Sequence, residues 1–404
     1  MTSTVVIAGA GHAAGQVVAS LRQKKFTGRI VLLGEESWLP YQRPPLSKKF
    51  LAGELSAERL YFKPKSFYDD PDIEIHLGTR ITAIDCNNRS VTADDGNEFT
   101  YDKLVLALGS RPRPLPLPGA DLAGIHYLRG IDDVLSIQSE IQEGRRLVIV
   151  GAGYIGLEVA AVTTQLGLEV TVVEMEDRVM SRVVSPQLSE FYQREHLAHG
   201  VTLKLSTGTS GFSGDGKLEY VLLDNGAKLP ADLAIIGVGI VPNVELASAA
   251  GLATENGIVV DDHCQTSDPN IFAVGDCTLH PNKVLGRRLR LESVHNALEQ
   301  AKTAASNICG EDASYAQVPW FWSDQYDLKL QIAGLSQGYD EVVLRGDPQT
   351  RSFSCLYLRD GQLIAVDAVN RPKDFMQSKA LIANHARIES QKLANIDIAL
   401  KDMV

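Results

Sequence analysis

Two glycine-rich turns, each between an apolar run and a helical pattern, are the residues of this chain best suited to chemistry. Their sequences, in chain order, are Gly9-x-Gly11-x-x-Ala14 and Gly151-x-Gly153-x-x-Gly156. In such a turn one small residue permits a sharp bend, and the next lets an anionic pyrophosphate approach the backbone. The third lets helix and strand pack closely. Each turn therefore predicts a dinucleotide-binding site.

An acidic residue follows each turn at the distance that ribose binding requires. Glu35 comes after the strand pattern Arg29–Leu33, and Glu174 comes after the strand pattern Glu169–Val173. A carboxylate about 20 residues beyond the glycines accepts hydrogen bonds from ribose hydroxyls. Two copies of strand, turn, helix and acid are far more specific than one. They predict two bound dinucleotides.

The acid after the second turn bears on which nicotinamide nucleotide binds there. Glu174 would repel a 2′-phosphate, and Glu176 and Asp177 add negative charge beside it. The nearby cations are Arg178 and Arg182. Alternatively, these two arginines lie on the face of a helix and have no role in nucleotide binding. The pattern favours NADH over NADPH.

The elements that must position these turns predict an α/β fold with two Rossmann-like dinucleotide-binding domains and a C-terminal α+β domain. The proline-rich residues 111–119 and the pair Pro242-Asn243 mark two crossings between domains. The expected boundaries are 1–112 with 243–318 for a discontinuous first domain, 113–242 for the second, and 319–404 for the third.

Local patterns predict several smaller elements. Turn residues at 94–97 and 224–226 indicate two hairpins. Helical spacing covers Glu292–Ile308 and a basic segment around Lys379–Arg387. A further apolar strand ends at Asp276.

Composition excludes several classes of protein. The 404 residues are too many for one ordinary core, and a net charge of −11 argues against nucleic acid as a partner. No apolar run approaches the length that spans a membrane, and the N-terminus shows no secretion signal. The five cysteines are scattered without metal-ligand spacing, so we expect reduced thiols in a cytoplasm and no bound metal.

Together these features resemble the two-dinucleotide flavoprotein reductases. The greatest similarity is to the FAD-dependent ferredoxin reductases of the putidaredoxin reductase type, which serve bacterial P450 and dioxygenase systems. The resemblance covers essentially the whole chain. The motifs that carry it are Arg43–Lys48, Gly151–Glu158, Ala273–Cys277, Glu292–Gln300 and Phe321–Tyr326.

The resemblance implies FAD at the first turn and NADH at the second. It places the FAD pyrophosphate and ribose on Gly9, Gly11, Ala13, Ala14 and Glu35. It places the remainder of the FAD site on Arg43, Lys48, Ile81, Arg129, Asp276 and Val294. It places NADH on Gly151, Gly153, Ile155, Gly156, Glu174 and Gly239. Lys48, close to flavin N5, and Glu158 are implied as a catalytic charge pair beside the hydride path.

The reaction type follows from cysteine positions. Disulfide reductases of this architecture carry a redox cysteine pair after the second strand, and related NADH oxidases and peroxidases carry one cysteine there. Residues 38–45 of this chain contain none. The resemblance therefore implies an NADH:ferredoxin oxidoreductase that passes a hydride from NADH to FAD. Single electrons then pass to a [2Fe-2S] ferredoxin that serves a cytochrome P450 or related oxygenase.

An acidic ferredoxin would need a basic patch on this chain. The candidate patches are Lys48-Lys49, Arg287–Arg290 and Arg371–Lys379, although each also fits an ordinary solvated surface. Other acceptors stay open, namely a rubredoxin, a quinone or monodehydroascorbate. A redox-sensing flavoprotein similar to apoptosis-inducing factor is the alternative from a different class.

Overall fold

We describe residues 3–403 from a computed structural model. The α-helices of this part of the chain are α1 His12–Gln23, α2 Ile131–Glu140, α3 Tyr154–Gln165, α4 Pro186–Ala198, α5 Glu245–Ala249, α6 Val294–Ile308, α7 Pro372–Ala383 and α8 Ser390–Ala394. Short 3₁₀ helices cover Pro44–Ser47, Ala57–Leu60, Lys65–Asp69, Pro348–Thr350 and Leu400–Asp402.

The strands fall into four groups along the chain. The first group is β1 Thr4–Ala8, β2 Arg29–Gly34, β3 Ile73–Leu77, β4 Ile81–Asp85, β5 Ser90–Ala93, β6 Glu98–Thr100, β7 Lys103–Leu106 and β8 Ser110–Pro112. The second is β9 Ile125–Tyr127, β10 Arg146–Val150, β11 Glu169–Val173, β12 Thr202–Lys204, β13 Thr209–Ser213, β14 Tyr220–Leu223, β15 Lys228–Pro230 and β16 Leu233–Ile236. The third is β17 Ile240–Pro242, β18 Thr254–Glu255, β19 Gly257–Val259, β20 Ile271–Ala273, β21 Thr278–Asn282 and β22 Arg287–Leu289. The fourth is β23 Trp320–Gln325, β24 Leu328–Gly334, β25 Glu341–Asp347, β26 Ser352–Arg359 and β27 Gln362–Val369.

The chain forms two compact units. The first unit contains the residues up to Arg43 together with Glu58–Arg111 and Val241–Pro319. The second contains Pro44–Ala57, Pro112–Ile240 and the residues from Trp320 onward. The boundaries of the three domains expected from the sequence stay a prediction.

The first unit is built on a parallel sheet in the order β20-β7-β1-β2-β3. The strand that precedes the first glycine turn, β1, is therefore central and has a parallel neighbour on each side. Strands β4, β5 and β6 form an antiparallel sheet, and the predicted hairpin turn at 94–97 joins the last two. A smaller sheet, β18-β19-β21-β22, completes the unit.

Both faces of this parallel sheet are buried, which explains the continuous apolar run of β1. Val5 and Ile7 pack in one cluster with α1 residues such as Val17, whereas Val6 and Ala8 pack in a second cluster on the other face. All of these side chains are fully buried. Strands of a parallel sheet with both faces covered are expected to lack the alternation of polar and apolar residues.

The second unit repeats the same plan. Its parallel sheet has the order β12-β11-β10-β16-β9, with the strand before the second glycine turn again central. Strands β13, β14 and β15 form an antiparallel sheet with the predicted hairpin at 224–226. The two Rossmann-like sheets predicted from the sequence are confirmed.

The last five strands of the second unit form an antiparallel sheet in the order β23-β24-β27-β26-β25, and α7 packs on β27 and β24. The sequence-based bounds of the basic helix, Lys379–Arg387, are wrong. Pro372 occupies the first turn of α7, where its missing N–H costs nothing, and the helix ends at Ala383. His385 adopts a left-handed φ of 53°, so the helix cannot continue to Arg387.

Candidate active site

The first glycine turn lies at the carboxyl end of the central strand β1. Gly9 has a φ of +106°, and a Cβ there would lie 2.4 Å from the Ala107 carbonyl oxygen, so only glycine fits. The neighbouring Gly11 is the N-cap residue directly before α1, and a Cβ built on it meets nothing within 4 Å. No side chain caps this helix, and its first turn has no acidic residue. The turn thus leaves space for an anion at a helix N-terminus that carries partial positive charge and is not capped by a side chain.

The end of strand β20 lies beside the start of α1. A Cβ at Gly275 would lie 3.4 Å from the Ala13 side chain. The next residue, Asp276, accepts a hydrogen bond from the Ser110 hydroxyl at 3.0 Å. Asp276 and Ala13, which the resemblance assigns to one cofactor, therefore come from distant parts of the sequence to one edge of the sheet.

Gln300 connects helix α6 to this edge of the sheet by hydrogen bonds. Gln300 Oε1 accepts hydrogen bonds from the Gly275 N–H at 2.7 Å and from the Thr278 hydroxyl at 3.0 Å. Helix α6 begins at Val294, and not at Glu292 as expected, because the Ser293 hydroxyl accepts the Asn296 N–H and caps the helix.

The remaining residues expected at FAD in this unit differ in their surroundings. Glu35 follows β2 and is 72% exposed, with Arg80 Nε 3.8 Å away. Ile81 is half-buried in β4. Arg43 donates to the carboxylate of Glu36 and to the Tyr41 hydroxyl. Burial lowers the pKa of Arg43, but Tyr41 and Glu36 together raise it above its usual value.

Glu36 is a residue that the sequence analysis missed. Its second oxygen accepts a hydrogen bond from the Tyr41 hydroxyl at 2.5 Å, so Glu36 orients both Tyr41 and Arg43. In the sequence, the only indication was that Glu36 is next to Glu35. The three-dimensional structure shows that Glu36, and not the exposed Glu35, contacts Tyr41 and Arg43.

The second glycine turn has the same geometry. Gly151 has a φ of +105°, and a Cβ there would lie 2.4 Å from the Gly237 carbonyl oxygen. Gly153 again faces open space at the uncapped start of α3. A Cβ at Gly156 would lie 2.2 Å from the Gly151 carbonyl oxygen, so α3 packs directly on the turn. The turn therefore has the shape and the donors that a second pyrophosphate requires.

Two more residues expected at NADH surround this turn. Ile155 is 46% exposed although it lies in the first turn of an apolar helix. Gly239 has a φ of +100° and open space where a Cβ would lie. Its carbonyl oxygen accepts the Arg113 N–H at 2.9 Å. Both positions are accessible to a ligand.

Glu174 is fixed by the backbone. One carboxylate oxygen accepts the Ala152 N–H at 2.7 Å, and the other accepts the Glu176 N–H at 3.0 Å. Arg178 binds the Val184 and Ser181 carbonyl oxygens, which occupies its guanidinium within the loop. The helix-face alternative for Arg178 and Arg182 is wrong, because both lie in the loop before α4.

Lys48 and Glu158 form an ion pair in the second unit. Lys48 Nζ lies 2.6 Å from Glu158 Oε2, and Glu158 is only 2% exposed. The Ser47 hydroxyl donates to the same oxygen at 2.5 Å, and the Ser323 hydroxyl donates to Oε1 at 2.7 Å. Both serines lie in motifs that carry the family resemblance, but no role was predicted for either serine.

Arg129 precedes helix α2. Its backbone N–H donates to the Asp133 carboxylate at 2.9 Å, and the Gly130 N–H donates to the same oxygen. Asp133 thereby caps α2 and fixes the chain at Arg129. The role of Arg129 at a flavin stays a prediction.

All five cysteines carry free thiols. Cys264, Cys277 and Cys355 are fully buried. Burial raises the pKa of Cys277 to about 11 and that of Cys355 to about 12. A thiol with so high a pKa is a poor nucleophile and a poor redox partner at neutral pH.

Comparison with known proteins identifies this arrangement. The family model described as pyridine nucleotide-disulphide oxidoreductase matches residues 3–301, and one described as reductase C-terminal matches residues 320–404. The chain belongs to the pyridine nucleotide-disulphide oxidoreductase family. The family confirms the fold class and makes the chain an FAD-dependent oxidoreductase that uses NAD(H). The two open glycine turns fit these two dinucleotides.

Several relatives match nearly the full chain. The ferredoxin reductase subunit of 5,5′-dehydrodivanillate O-demethylase from Sphingobium is 45% identical, over 98% of this chain and 97% of the relative. Putidaredoxin reductase from Pseudomonas putida is 42% identical, over 99% and 96%. The crystal structure of the covalent putidaredoxin reductase–putidaredoxin complex matches with a TM-score of 0.96 at 42% identity, over 99% of this chain and 98% of that chain. The expected resemblance to the putidaredoxin reductase type is confirmed.

Among residues 3–403, no helix combines the length and the apolar character needed to cross a bilayer. One cluster within the same range, Asp261, Asp262 and His263, brings possible metal-ligating atoms within 4.8 Å of one another. These side chains already have partners. Lys283 pairs with Asp262, and Asp312 binds His263 Nε2 at 2.8 Å. The hydrogen bond that the His263 ring donates to the Asp312 carboxylate raises the pKa of His263.

Proposed function

We propose that the chain is an NADH-dependent ferredoxin reductase. It would accept a hydride from NADH at FAD and deliver the electrons one at a time to a [2Fe-2S] ferredoxin that serves a cytochrome P450 or related oxygenase. The observation that carries the proposal is the combination of two dinucleotide turns with five unpaired thiols. Electrons that reach the flavin then have an external protein as their destination. The names of the relatives support this choice.

The cofactors supply the redox chemistry, and the protein supplies binding, orientation and charge. We assign the FAD pyrophosphate to the N–H groups of the first turn and the nicotinamide nucleotide to those of the second. Each helix N-terminus offers the partial positive charge that stabilises a pyrophosphate. These assignments cover Gly9, Gly11, Ala13, Ala14, Glu35, Arg43, Ile81, Arg129, Asp276 and Val294 for FAD, and Gly151, Gly153, Ile155, Gly156, Glu174 and Gly239 for NADH.

We assign Lys48 and Glu158 to the hydride step. The buried carboxylate holds the lysine ammonium in one place, because Glu158 Oε2 also receives the Ser47 hydroxyl. A fixed positive charge stabilises negative charge that develops on a ring nearby, since no dipoles have to reorganise. Charge and orientation are therefore the protein's contribution to hydride transfer.

The candidate docking patches differ in how available their charges are. Lys48 already forms an ion pair with Glu158, and Arg371 already donates a hydrogen bond to the Asp374 carboxylate. Lys379 lies over the Trp320 ring at 5.4 Å. Lys49 and Arg288 are exposed, which makes them the stronger candidates for contact with an acidic ferredoxin. We place the protein in the cytoplasm on the strength of its free thiols.

The test is anaerobic reduction of the FAD-loaded protein by NADH, followed by cytochrome c reduction with and without added ferredoxin. We expect cytochrome c reduction to depend on the ferredoxin. Transfer to a rubredoxin or a quinone at a higher rate would reassign the acceptor. Slow reduction with a long-lived charge-transfer complex would indicate a redox sensor, the alternative from the other class.

A further inference from the structure

A line of buried side chains leads away from the Glu158 carboxylate within the second unit. Ser323 Oγ lies 2.7 Å from Glu158 Oε1, and Gln325 Nε2 lies 3.3 Å from Ser323 Oγ. His196 Nε2 lies 2.8 Å from Gln325 Oε1, and the Tyr326 hydroxyl lies 3.0 Å from His196 Nδ1. Glu158, Ser323, Gln325 and His196 are each at most 2% exposed. Buried polar side chains joined in this way form a continuous network.

Regular elements hold the members of this network. Ser323 and Gln325 are two residues apart on β23, so their side chains lie on the same face of the strand. His196 lies in the last turn of α4, and Glu158 lies in α3. These four members lie in strands or helices, and Tyr326 lies in the turn that follows β23, so the hydrogen bonds connect three regular elements.

The direction of every hydrogen bond follows from the chemistry of the groups. A carboxylate can only accept, so the single hydroxyl hydrogen of Ser323 is used on Glu158. The Ser323 oxygen must then accept from the Gln325 amide nitrogen, which turns Gln325 Oε1 toward His196. His196 therefore carries its hydrogen on Nε2, and its Nδ1 accepts from the Tyr326 hydroxyl. All donors point toward Glu158.

The far end of the network approaches solvent. Tyr326 is half-buried, and its ring stacks on the exposed His199 with centroids 3.7 Å apart. Burial lowers the pKa of His196 to about 4. The His196 ring is therefore neutral at neutral pH, as a group that accepts a hydrogen bond at one nitrogen and donates at the other must be.

We propose that Ser323, Gln325 and His196 are positioning residues that fix the Glu158 carboxylate for its ion pair with Lys48 during hydride transfer. This inference rests on the proposed function, which assigns that pair to the hydride step. Ser47 and Lys48 hold Oε2, and the network adds a hydrogen bond to Oε1. A carboxylate held at both oxygens cannot rotate away from the lysine.

The test compares two buried serine-to-carboxylate hydrogen bonds in the same unit. Ser323→Ala removes the bond to Glu158, and Ser354→Ala removes a 3.1 Å bond to the buried Asp374. We expect Ser323→Ala to slow anaerobic flavin reduction by NADH about tenfold, since hydrogen bonds to charged groups are strong. Ser354→Ala should leave the rate unchanged, and Ser323→Thr should restore most of it. Equal rates for the two alanine variants would overturn the proposal.

A double-mutant cycle shows whether Ser323 acts through Glu158. If it does, adding Ser323→Ala to Glu158→Gln should slow flavin reduction no further. Independent, multiplicative slowing would overturn the inference. A Glu158→Gln variant as fast as the wild type would instead refute the proposed role of the ion pair, so the two failures are distinguishable.

Nitrogen NMR of the FAD-loaded protein tests the network without turnover. The His196 ring should show the neutral tautomer with hydrogen on Nε2 at neutral pH. In Ser323→Ala the Gln325 amide loses the oxygen that accepts its hydrogen bond. Because Gln325 also contacts His196, the His196 signals should shift. A ring with hydrogen on Nδ1, or a charged ring, in the wild type would overturn the assigned direction of the network.

Discussion

Three glutamates illustrate how surroundings determine the use of a carboxylate. Glu35 is 72% exposed and is the one whose oxygens are most open to a ribose. Glu174 already holds two backbone N–H groups, which fixes its orientation at the turn. Glu158 is buried against a lysine and two serines. A carboxylate has about four acceptor sites, so Glu174 can still accept ribose hydroxyls.

The charge of Glu174 should govern the choice of nicotinamide nucleotide. We expect the wild type to favour NADH over NADPH in kcat/KM by at least about tenfold, because a carboxylate repels a 2′-phosphate. Glu174→Gln removes the charge at nearly constant size and should narrow that ratio. Glu169→Gln, at the exposed opposite end of β11, is the matched control. Equal use of both nucleotides by the wild type would contradict the assignment.

Asp367 should make stability depend on pH. Burial raises its pKa to about 7, although the Tyr357 hydroxyl donates to it and opposes the shift. The folded state therefore keeps a proton that the unfolded state, with a pKa of about 3.9, releases. The free energy of unfolding should fall by roughly 2–4 kcal/mol as pH rises from about 4 to above 7.

Asp367→Asn should remove most of this slope and make the protein more stable than the wild type at pH above 7. Denaturant midpoints across that pH range provide the measurement, with the exposed Asp402→Asn as control. An unchanged slope in Asp367→Asn would show that another group titrates.

At the level of single residues, the sequence predicted the groups of the site better than their partners. Lys48 and Glu158 could be named as a pair from a family resemblance. Ser323 lies 165 residues from Glu158 along the chain, and nothing in local spacing brings them together. Their contact depends on β23 packing against α3, which is a property of the folded chain.

At the level of elements, each glycine turn contains one glycine that should matter for cofactor binding but not for folding. Gly11 and Gly153 have ordinary φ angles and open space, so alanine should fold normally at either position. The added methyl would occupy the space proposed for a pyrophosphate. Gly11→Ala should weaken FAD binding at least about tenfold with an unchanged unfolding midpoint of the apoprotein.

Gly153→Ala should keep FAD and raise the Kd for NADH by a similar factor. Each variant is the control for the other, and fluorescence titration with each cofactor distinguishes them. Loss of both cofactors in both variants would indicate a folding defect and not two separate sites.

Elements with strong local signals were predictable from the sequence. Strand β11 has the predicted bounds Glu169–Val173, because four β-branched residues lie between Glu169 and Glu174. The helix near Lys379 was misplaced, because its start depends on Pro372 and its end on a left-handed His385. Basic composition does not indicate either boundary.

At the level of the whole molecule, electron transfer should need no thiol. A variant with all five cysteines replaced by alanine should keep most of its ferredoxin-dependent cytochrome c reduction, since the thiols are unpaired. Cys277 is fully buried, so a cavity there would lower stability and FAD content. Retained hydride uptake with complete loss of ferredoxin reduction, at full FAD occupancy, would contradict a thiol-free path.

Ferredoxin reduction should also depend on ionic strength, because an acidic partner must dock on local basic residues of a chain whose net charge is −11. Docking of an acidic ferredoxin on local basic residues should weaken as salt screens the attraction, so ferredoxin reduction should slow as ionic strength rises. Reduction of ferricyanide requires no protein docking and should respond far less. Stopped-flow rates across a salt series, with both acceptors, provide the comparison.

The repeated sheet plan has a consequence for how the two copies relate. Of the three small positions of the motif, the first two are glycine in both copies, and the third is Ala14 in one copy and Gly156 in the other. Ala14 is accommodated with its methyl group fully buried, whereas a methyl group at 156 would lie 2.2 Å from a carbonyl oxygen. Ala14 can therefore be replaced by glycine, whereas Gly156 cannot be replaced by alanine. Glycine is admissible in both, and alanine only in the first.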